Sequence, residues 1–326
     1  MFHFSNNLEV KTLNHIKQVW KRINFFQSAE MTEHYLKNTY KNLPNAHTKN
    51  YDNCYPFMYY LEQGEIFYKQ ANDSPLSIKP MLLFYGLVHL IKACLLTVDP
   101  FYPNSTSVLA HGVSARKRKK RDYLFFDDEI KIQRNGICTY FSEKMFHVKH
   151  LEGEKFKMGE LLSLVAELDD VFSFVKGEST MVPFDDGIDA WIIPKEVAQS
   201  YFIDEKRLKE LLNNKYPGNI DWKKNHSNTL LINKREMYHP PFRYHFDKQQ
   251  LCLPNKFHQH DTLPDMLIHY LLLYNLSMIS RYETEWWFEQ LKTTPNSDMI
   301  FIQSFLDVTE RKGPYLIYQF LMERMK

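Results

Sequence analysis

Residues 276–287 read LSMISRYETEWW, and the first clue to the fold lies in this stretch. Its opening residues end an almost wholly apolar run that begins at Met266, whereas its remaining residues include an arginine, two glutamates and paired tryptophans. A helix that is hydrophobic nearly all round must be buried. The stretch therefore predicts a core helix that ends at a polar and aromatic junction.

A second apolar run, from Met81 to Val98, predicts another buried helix. Pro80 suits its first turn, where a backbone N–H has no intrahelical partner in any case. Polar side chains interrupt both runs, so neither is a convincing membrane span. We therefore expect the Met81 and Met266 helices to form the core of one helical body.

Three regions of the chain differ in periodicity. Residues 1–122 and 257–326 repeat apolar side chains at helical spacing, whereas residues 123–256 shift towards the alternation of strands. The elements predicted in this middle region are strands at residues 129–134, 190–193, 229–232 and 242–246, and helices at residues 158–169 and 195–212. The sequence thus predicts an α+β, mainly α-helical fold. Its N- and C-terminal helices pack into one core, and a small mixed α/β insertion separates them along the chain.

Composition and charge exclude some classes of protein. Of the 326 residues, 44% are hydrophobic and 15% are aromatic, which is typical of a folded globular protein. A net charge of +2 is far below the excess expected of a protein that coats nucleic acid. The four cysteines show no paired spacing, and residues 1–9 show no signal-peptide pattern. We expect free thiols and a cytoplasmic location.

Polar residues of the Met81 helix form the first candidate site. Tyr85, His89 and Lys92 share one stripe when the chain turns by about 100° per residue. The stripe is either a solvent-facing edge along which Lys92 extends its stem, or a pocket wall in which His89 and Lys92 meet an anionic group.

Two further polar residues are candidates for ligand binding. His111 precedes Gly112, and glycine permits a tight turn or a close backbone approach. His111 is then either a hydrogen-bonded structural residue or a general base or ligand contact. Arg281 contacts a ligand, or it pairs with Glu283 or Glu285, since a buried arginine is costly without a partner.

Partner contact is predicted for two other groups of residues. The basic run meets phosphates or an acidic surface of a partner, or it is a solvated loop. It consists of Arg116, Lys117, Arg118, Lys119, Lys120 and Arg121. Trp286 and Trp287 pack over the helix junction or contact a partner, because tryptophan is enriched at interface hot spots.

Known catalytic motifs are missing from the sequence. It contains no Gly-rich phosphate loop, no Gly-x-Ser-x-Gly elbow, no His-Glu-x-x-His motif and no cysteine nucleophile motif. The histidine-rich residues 239–245 and 258–260 lack helical ligand spacing, so surface loops are favoured over a metal site. We predict neither a metal nor a cofactor.

Several short motifs recur in an order and spacing typical of one family. They are Phe84-Tyr85-Gly86 followed by Lys92-Ala93, then His111-Gly112, then Leu276-Ser277-Met278 with Arg281-Tyr282 and Trp287. On these residues the chain resembles the YaaC-like family of bacterial cytoplasmic proteins, across nearly its whole length. The resemblance implies a helical part similar to HEPN-type domains, some of which cleave RNA with an Arg-x(4–6)-His motif. Arg235 to His239 is one residue too short for that motif.

Two main hypotheses about function follow. The first is a non-catalytic regulatory protein that docks on a metabolic enzyme, because no catalytic constellation is visible and the residue types enriched at interface hot spots, Tyr, Phe, Trp and Arg, are abundant. Members of the family tend to be encoded beside IMP dehydrogenase, so the resemblance implies an enzyme of purine nucleotide synthesis as the partner. The alternative is a HEPN-like enzyme directed at RNA or nucleotides, in which Lys92, His111 and Arg281 converge on phosphate and His111 is the general base. Sequence-independent nucleic-acid binding through residues 116–121 is a third hypothesis and predicts a steep salt dependence.

Overall fold

The chain folds as two compact units. The structure, a computed structural model, describes residues 15–43, 46, 48–115, 123–216, 220–223, 230–233, 239–256, 260–294 and 296–325. The mixed unit comprises the described residues of 160–268, and the helical unit comprises those of 10–159 and 269–326. Residues 123–159 thus belong to the helical unit, although the sequence groups them with the mixed insertion, and residues 260–268 belong to the mixed unit.

Most of the described chain is helical. The helices are α1 (residues 15–23), α2 (Ala29–Thr39), α3 (Lys49–Asn72), α4 (Lys79–Val98), α5 (Ile137–Phe146), α6 (Met158–Ser163), α7 (Asp169–Lys176), α8 (Lys195–Ser200), α9 (Glu205–Lys215), α10 (Asp265–Tyr282), α11 (Thr284–Thr293) and α12 (Asp298–Glu323). Short 3-10 segments span Asn24–Gln27, Thr106–Leu109, Phe125–Asp127 and Ala166–Leu168.

The strands of the described residues form three small antiparallel sheets. They are β1 (Val113–Ala115), β2 (Glu129–Ile132), β3 (Lys155–Lys157), β4 (Met181–Pro183), β5 (Asp185–Asp186), β6 (Ala190–Ile193), β7 (Leu230–Asn233), β8 (Arg243–His245) and β9 (Gln250–Pro254). The helical unit contains the sheet β1-β2-β3, and the mixed unit contains β4-β9-β8 and β5-β6-β7. The fold is α+β and mainly helical, as the sequence predicts.

The predicted strands are confirmed, but two predicted helices are interrupted. Residues 158–169 form α6, a turn and a 3-10 segment before α7 begins. Residues 195–212 divide into α8 and α9, because the chain leaves helical geometry at Phe202, where φ is 56°. The Asp204 side chain then caps α9 by accepting a 2.7 Å hydrogen bond from the backbone N–H of Arg207. A local cap thus overrides the continuous apolar periodicity.

The two apolar helices pack on each other through buried aromatic rings. Phe84 of α4 is fully buried, and its ring centroid lies 5.3 Å from that of Tyr270 and 5.7 Å from that of Tyr274 on α10. This contact confirms the predicted core. Among the described residues, α4 is also the one helix apolar and long enough to cross a membrane, and 67% of its most apolar window is buried inside the structure.

Glycines let α3 approach α4 closely. A Cβ atom on Gly86 would lie 2.8 Å from Cδ2 of Tyr68, and a Cβ atom on Gly64 would lie 2.6 Å from Cδ2 of Leu90. Side chains at these positions would push the helices apart. The close approach brings aromatic side chains of α3 against the polar stripe of α4.

The mixed unit has its own core, and Arg243 is fully buried in this unit. Large members of this core include Phe184, Trp191, Leu208, Ile232 and Leu251. The guanidinium of Arg243 donates hydrogen bonds to the carbonyls of Leu263 and Asp261 and to Oδ1 of Asp265, at 2.7, 2.9 and 2.8 Å. These bonds compensate the cost of burying its charge.

Candidate functional site

The polar stripe of α4 is a half-buried wall. Tyr85, His89 and Lys92 are each partly exposed, whereas the neighbouring Phe84 and Leu87 are fully buried. The His89 ring stacks on Phe67 of α3, with ring centroids 5.6 Å apart and an interplanar angle of 14°. The stripe is therefore packed against another helix along part of its length.

Aromatic side chains of α3 line the stripe, and sequence reasoning missed them. The Nζ atom of Lys92 lies 5.6 Å from the ring centroid of Tyr60, and the Phe67 ring lies 6.1 Å from that of Tyr85. Tyr60 and Phe67 are seven residues apart, so two helical turns place them on one face of α3. This seven-residue spacing is the sequence signal that could have predicted a shared aromatic face.

The backbone around His111 is held by the start of α5. Gly112 has a φ of 74° and Gly136 a φ of 135°, and their backbones touch because neither has a side chain. The N–H of Ile137 donates to the carbonyl of Ala110 at 2.7 Å, and the Tyr270 hydroxyl donates to the carbonyl of His111 at 2.7 Å. Gly112 thus makes the close approach that the sequence indicated.

The imidazole of His111 is surrounded by aromatic rings. Its centroid lies 5.1 Å from that of Phe84, 6.0 Å from that of Tyr85 and 5.8 Å from that of Tyr274. Within the described part of the chain neither ring nitrogen has a hydrogen-bond partner, and the residue is partly exposed. A ligand can therefore bond to this imidazole without displacing a protein group.

Arg281 reaches the same place from the end of α10. Its Nη1 donates to the Tyr85 hydroxyl at 3.1 Å, and its Nε donates to the carbonyl of Ser277 at 3.1 Å. The guanidinium forms no ion pair with Glu283, Glu285 or any other carboxylate that the structure describes. The ion-pairing interpretation is therefore wrong for the described residues, and Arg281 carries its charge into the site without neutralisation.

Burial and nearby positive charge lower the pKa of both histidines. Desolvation, with a smaller effect of the Lys92 charge, lowers the pKa of His89 to about 4. Desolvation is also the largest cause that lowers the pKa of His111, followed by the charges of Arg281 and Lys92. Burial lowers the pKa of Lys92 itself. An anion would relieve all of these effects, because it favours the charged form of each group.

We call this cluster the His111 site. It consists of Tyr60, Phe67, Tyr85, His89, Lys92, His111, Tyr274 and Arg281, all in the helical unit. Ring contacts and hydrogen bonds join these residues continuously from Lys92 to Arg281. The structure thus brings together Tyr85, His89, Lys92, His111 and Arg281, which the sequence singled out on three separate segments.

The other candidate residues lie elsewhere. Trp287 is fully buried and its indole N–H donates to the carbonyl of Ser77 at 3.0 Å, so its side chain cannot contact a partner. Trp286 is partly exposed and packs edge-on against Tyr123, with centroids 4.7 Å apart. The basic run at residues 116–121 lies outside the described residues.

Metal-binding groups are not assembled in the described part of the chain, where no cluster of three or more His, Cys, Asp or Glu residues suits a metal ion. Residues 243–245 of the histidine-rich stretch form the buried strand β8 rather than a surface loop. Residues 257–259 lie outside the described residues.

The fold and the site define a mainly helical α+β protein with a candidate anion-binding site. A family model described as YaaC-like Protein matches residues 24–321, and the chain belongs to this family. Comparisons with curated proteins and with solved structures found no match. The family assignment is confirmed, and function has to be argued from the site itself.

Proposed function

We propose that this protein is a non-catalytic binding protein whose His111 site takes a phosphate-bearing ligand of the nucleotide class. One observation carries the proposal. The positive charges of Lys92 and Arg281 both lower the pKa of His111, and neither cation pairs with a carboxylate among the described residues. Cations held partly out of water without a counter-charge favour an anionic ligand.

The donors of the site suit phosphate oxygens. Arginine has five N–H donors, of which the protein uses some on Ser277 and Tyr85, and lysine has three. The unpaired nitrogens of His111 add further donors or acceptors. Partly exposed rings such as Tyr60 and Phe67 offer faces on which a base can stack.

Calorimetry with the full chain tests this proposal. Inorganic pyrophosphate is titrated into the protein without divalent cations. We expect saturable binding at one site, abolished or weakened by substitution of Lys92 or Arg281. If pyrophosphate, GMP and GTP all fail to bind at millimolar concentration, the proposal is refuted.

We further propose that the protein regulates a cytoplasmic metabolic enzyme by docking on it, with IMP dehydrogenase as the candidate suggested by the family. Exposed tyrosines of α3 support a docking surface, because tyrosine is enriched at interface hot spots. Tyr51, Tyr55 and Tyr59 recur every four residues on one face and are 69%, 50% and 60% exposed.

Biolayer interferometry with purified IMP dehydrogenase tests the docking proposal. We expect the double change Tyr55→Ser with Tyr59→Ser to weaken binding by about 10-fold or more. Phe174→Ser, at a 90% exposed ring of the mixed unit, is the matched control. Arg118→Glu with Lys119→Glu examines the basic run separately. Unchanged binding in both double variants would exclude these two surfaces.

A second candidate function is catalysis on RNA or a nucleotide. It is supported by the neutral, solvent-accessible imidazole of His111, which can accept a proton beside two cations able to stabilise phosphate charge. Hydrolysis of RNA or of GTP that is lost in His111→Ala, with the fold intact, would establish this function instead. Retention of the activity in His111→Ala would exclude His111 as its base.

Ligand binding is expected to take up protons at His111. In the free protein the pKa of His111 is lowered from 6.5, and a bound anion raises it. The bound state then holds more protons, so affinity rises as pH falls through the raised pKa of the bound state and levels off below the lowered pKa of the free protein. Sulfate is a suitable probe, because it stays a dianion over this pH range, whereas phosphoryl groups gain a proton near pH ~6.

Calorimetry in buffers of different ionisation enthalpy measures this proton uptake. His111→Ala is expected to remove most of it, whereas His34→Ala, at an exposed position of α2, retains it. Equal uptake in both variants would contradict the assignment.

A further inference from the structure

We infer that the His111 site takes a free nucleotide with a di- or triphosphate chain, which lies along α4 between Lys92 and Arg281. The inference rests on the proposed function and names the ligand class for the same site. It follows from the spacing of the two cations, the position of His111 between them and the aromatic side chains beside the stripe.

From the helix spacing, the two cations are expected to lie too far apart for a single phosphate group. Arg281 is bonded to the Tyr85 hydroxyl, and Lys92 follows Tyr85 by seven residues on the same helix. Seven residues span about 10 Å along a helix axis. The side chains of Tyr85 and Lys92 both lean towards the N-terminus of α4, so their ends are separated by about the same distance as their backbones. Cations that share one phosphate lie within roughly 7–8 Å of each other, given charge-assisted bonds of about 2.8 Å.

Other contacts place Lys92 and Arg281 at opposite ends of the polar stripe of α4. Lys92 is attracted to the face of Tyr60, 5.6 Å from its centroid. The guanidinium of Arg281 is fastened to Tyr85 and Ser277, and it lies 5.1 Å from the ring centroid of the exposed Tyr282. Each cation thus has contacts at its own end of the stripe. A chain of two or three phosphates reaches both ends and passes the nitrogens of His111.

The chemistry favours a small nucleotide over RNA. The stripe is half-buried and set against aromatic rings, and the whole chain carries a net charge of only +2. A surface that tracks an RNA backbone needs a continuous basic groove. Between Lys92 and Arg281 the described site offers neutral imidazoles and phenols instead.

Calorimetry with a series of anions tests the inference on the full chain without divalent cations. The probes are inorganic phosphate, pyrophosphate, tripolyphosphate, GTP and a single-stranded RNA ten-mer. We expect tripolyphosphate and GTP to bind at least about 10-fold more tightly than phosphate, since they engage both cations. Lys92→Met and Arg281→Met should each weaken tripolyphosphate, whereas phosphate should be sensitive to only one of them. Lys69→Met, an exposed lysine of α3, is the matched control.

The possible results of this titration series test the two-ended site, the choice of a free nucleotide and the proposed function separately. Equal affinity for phosphate and tripolyphosphate, or one variant that abolishes both, would overturn the two-ended site while leaving anion binding intact. RNA that binds more tightly than GTP, with a steep salt dependence, would overturn the choice of a free nucleotide. Binding of no probe would refute the proposed function itself. Thermal melting of each variant verifies that the fold is retained, and Lys92→Arg should restore tripolyphosphate binding.

Discussion

Replacing Arg281 with methionine is expected to weaken pyrophosphate binding by about 10- to 100-fold, or roughly 1.5–3 kcal/mol, the usual range for hydrogen bonds to a charged group. Methionine keeps much of the stem and removes the donors. The guanidinium is held by Tyr85 and Ser277 before a ligand arrives, so little entropy is lost on binding. Isothermal titration calorimetry provides the measurement.

The controls for Arg281 separate charge from geometry. Arg281→Lys keeps the charge but not the planar fork, so an intermediate loss of affinity is expected. Arg324→Met, at an exposed arginine just after α12, changes net charge equally and should leave affinity unchanged. An equal loss in the Arg324 variant would show that the effect is long-range electrostatics and not contact at the site.

Gly136→Ala is expected to lower the free energy of unfolding by about 3 kcal/mol or more, because two destabilising mechanisms combine. Its φ of 135° is a conformation that side chains rarely adopt, and a Cβ atom would lie 2.3 Å from Cα of Gly112. The position of the Cβ atom is fixed by the backbone, and Cα of Gly112 belongs to the backbone, so no flexible side chain can move aside. Urea denaturation followed by circular dichroism measures the loss.

Gly153→Ala is the matched control for this substitution. Gly153 also has a positive φ, of 83°, but nothing lies within 4 Å of a Cβ atom there. We expect only the backbone cost, about 1–2 kcal/mol. Gly136→Ala should additionally weaken anion binding, because Gly112 adjoins His111. If Gly136→Ala and Gly153→Ala lower the free energy of unfolding equally, the clash with Gly112 adds no cost and the close backbone approach is not required.

Much of the architecture could be predicted from local pattern. The α4 and α10 helices are apolar on nearly all sides and must therefore be buried, and the Phe84 contacts with Tyr270 and Tyr274 provide part of that burial. The break between α8 and α9 was not predicted, because it depends on the Asp204 cap and on a positive φ at Phe202. Apolar periodicity is read over many residues, so it does not detect a helix break that depends on one or two of them.

The site was only partly visible in the sequence. Tyr85, His89 and Lys92 were grouped by helical spacing, and His111 by its glycine. The aromatic wall of α3 was missed, since Tyr60 and Phe67 acquire their role only where Gly64 and Gly86 let α3 approach α4. For Trp287 the sequence left core packing and partner contact both open, because a tryptophan beside charged residues suits an interface as well as a core, and its burial decides for the core.

The sequence by itself determined the helical core, the strands β2, β6, β7 and β8 and the family, because these depend on periodicity and on short motifs within single segments. Only the tertiary structure decided that Lys92, His111 and Arg281 belong to one site, and that Arg281 lacks a carboxylate partner among the described residues. The physical reason is that charge compensation depends on distance through space, and residues on α4, on the loop before β1 and on α10 become neighbours only when the helices pack.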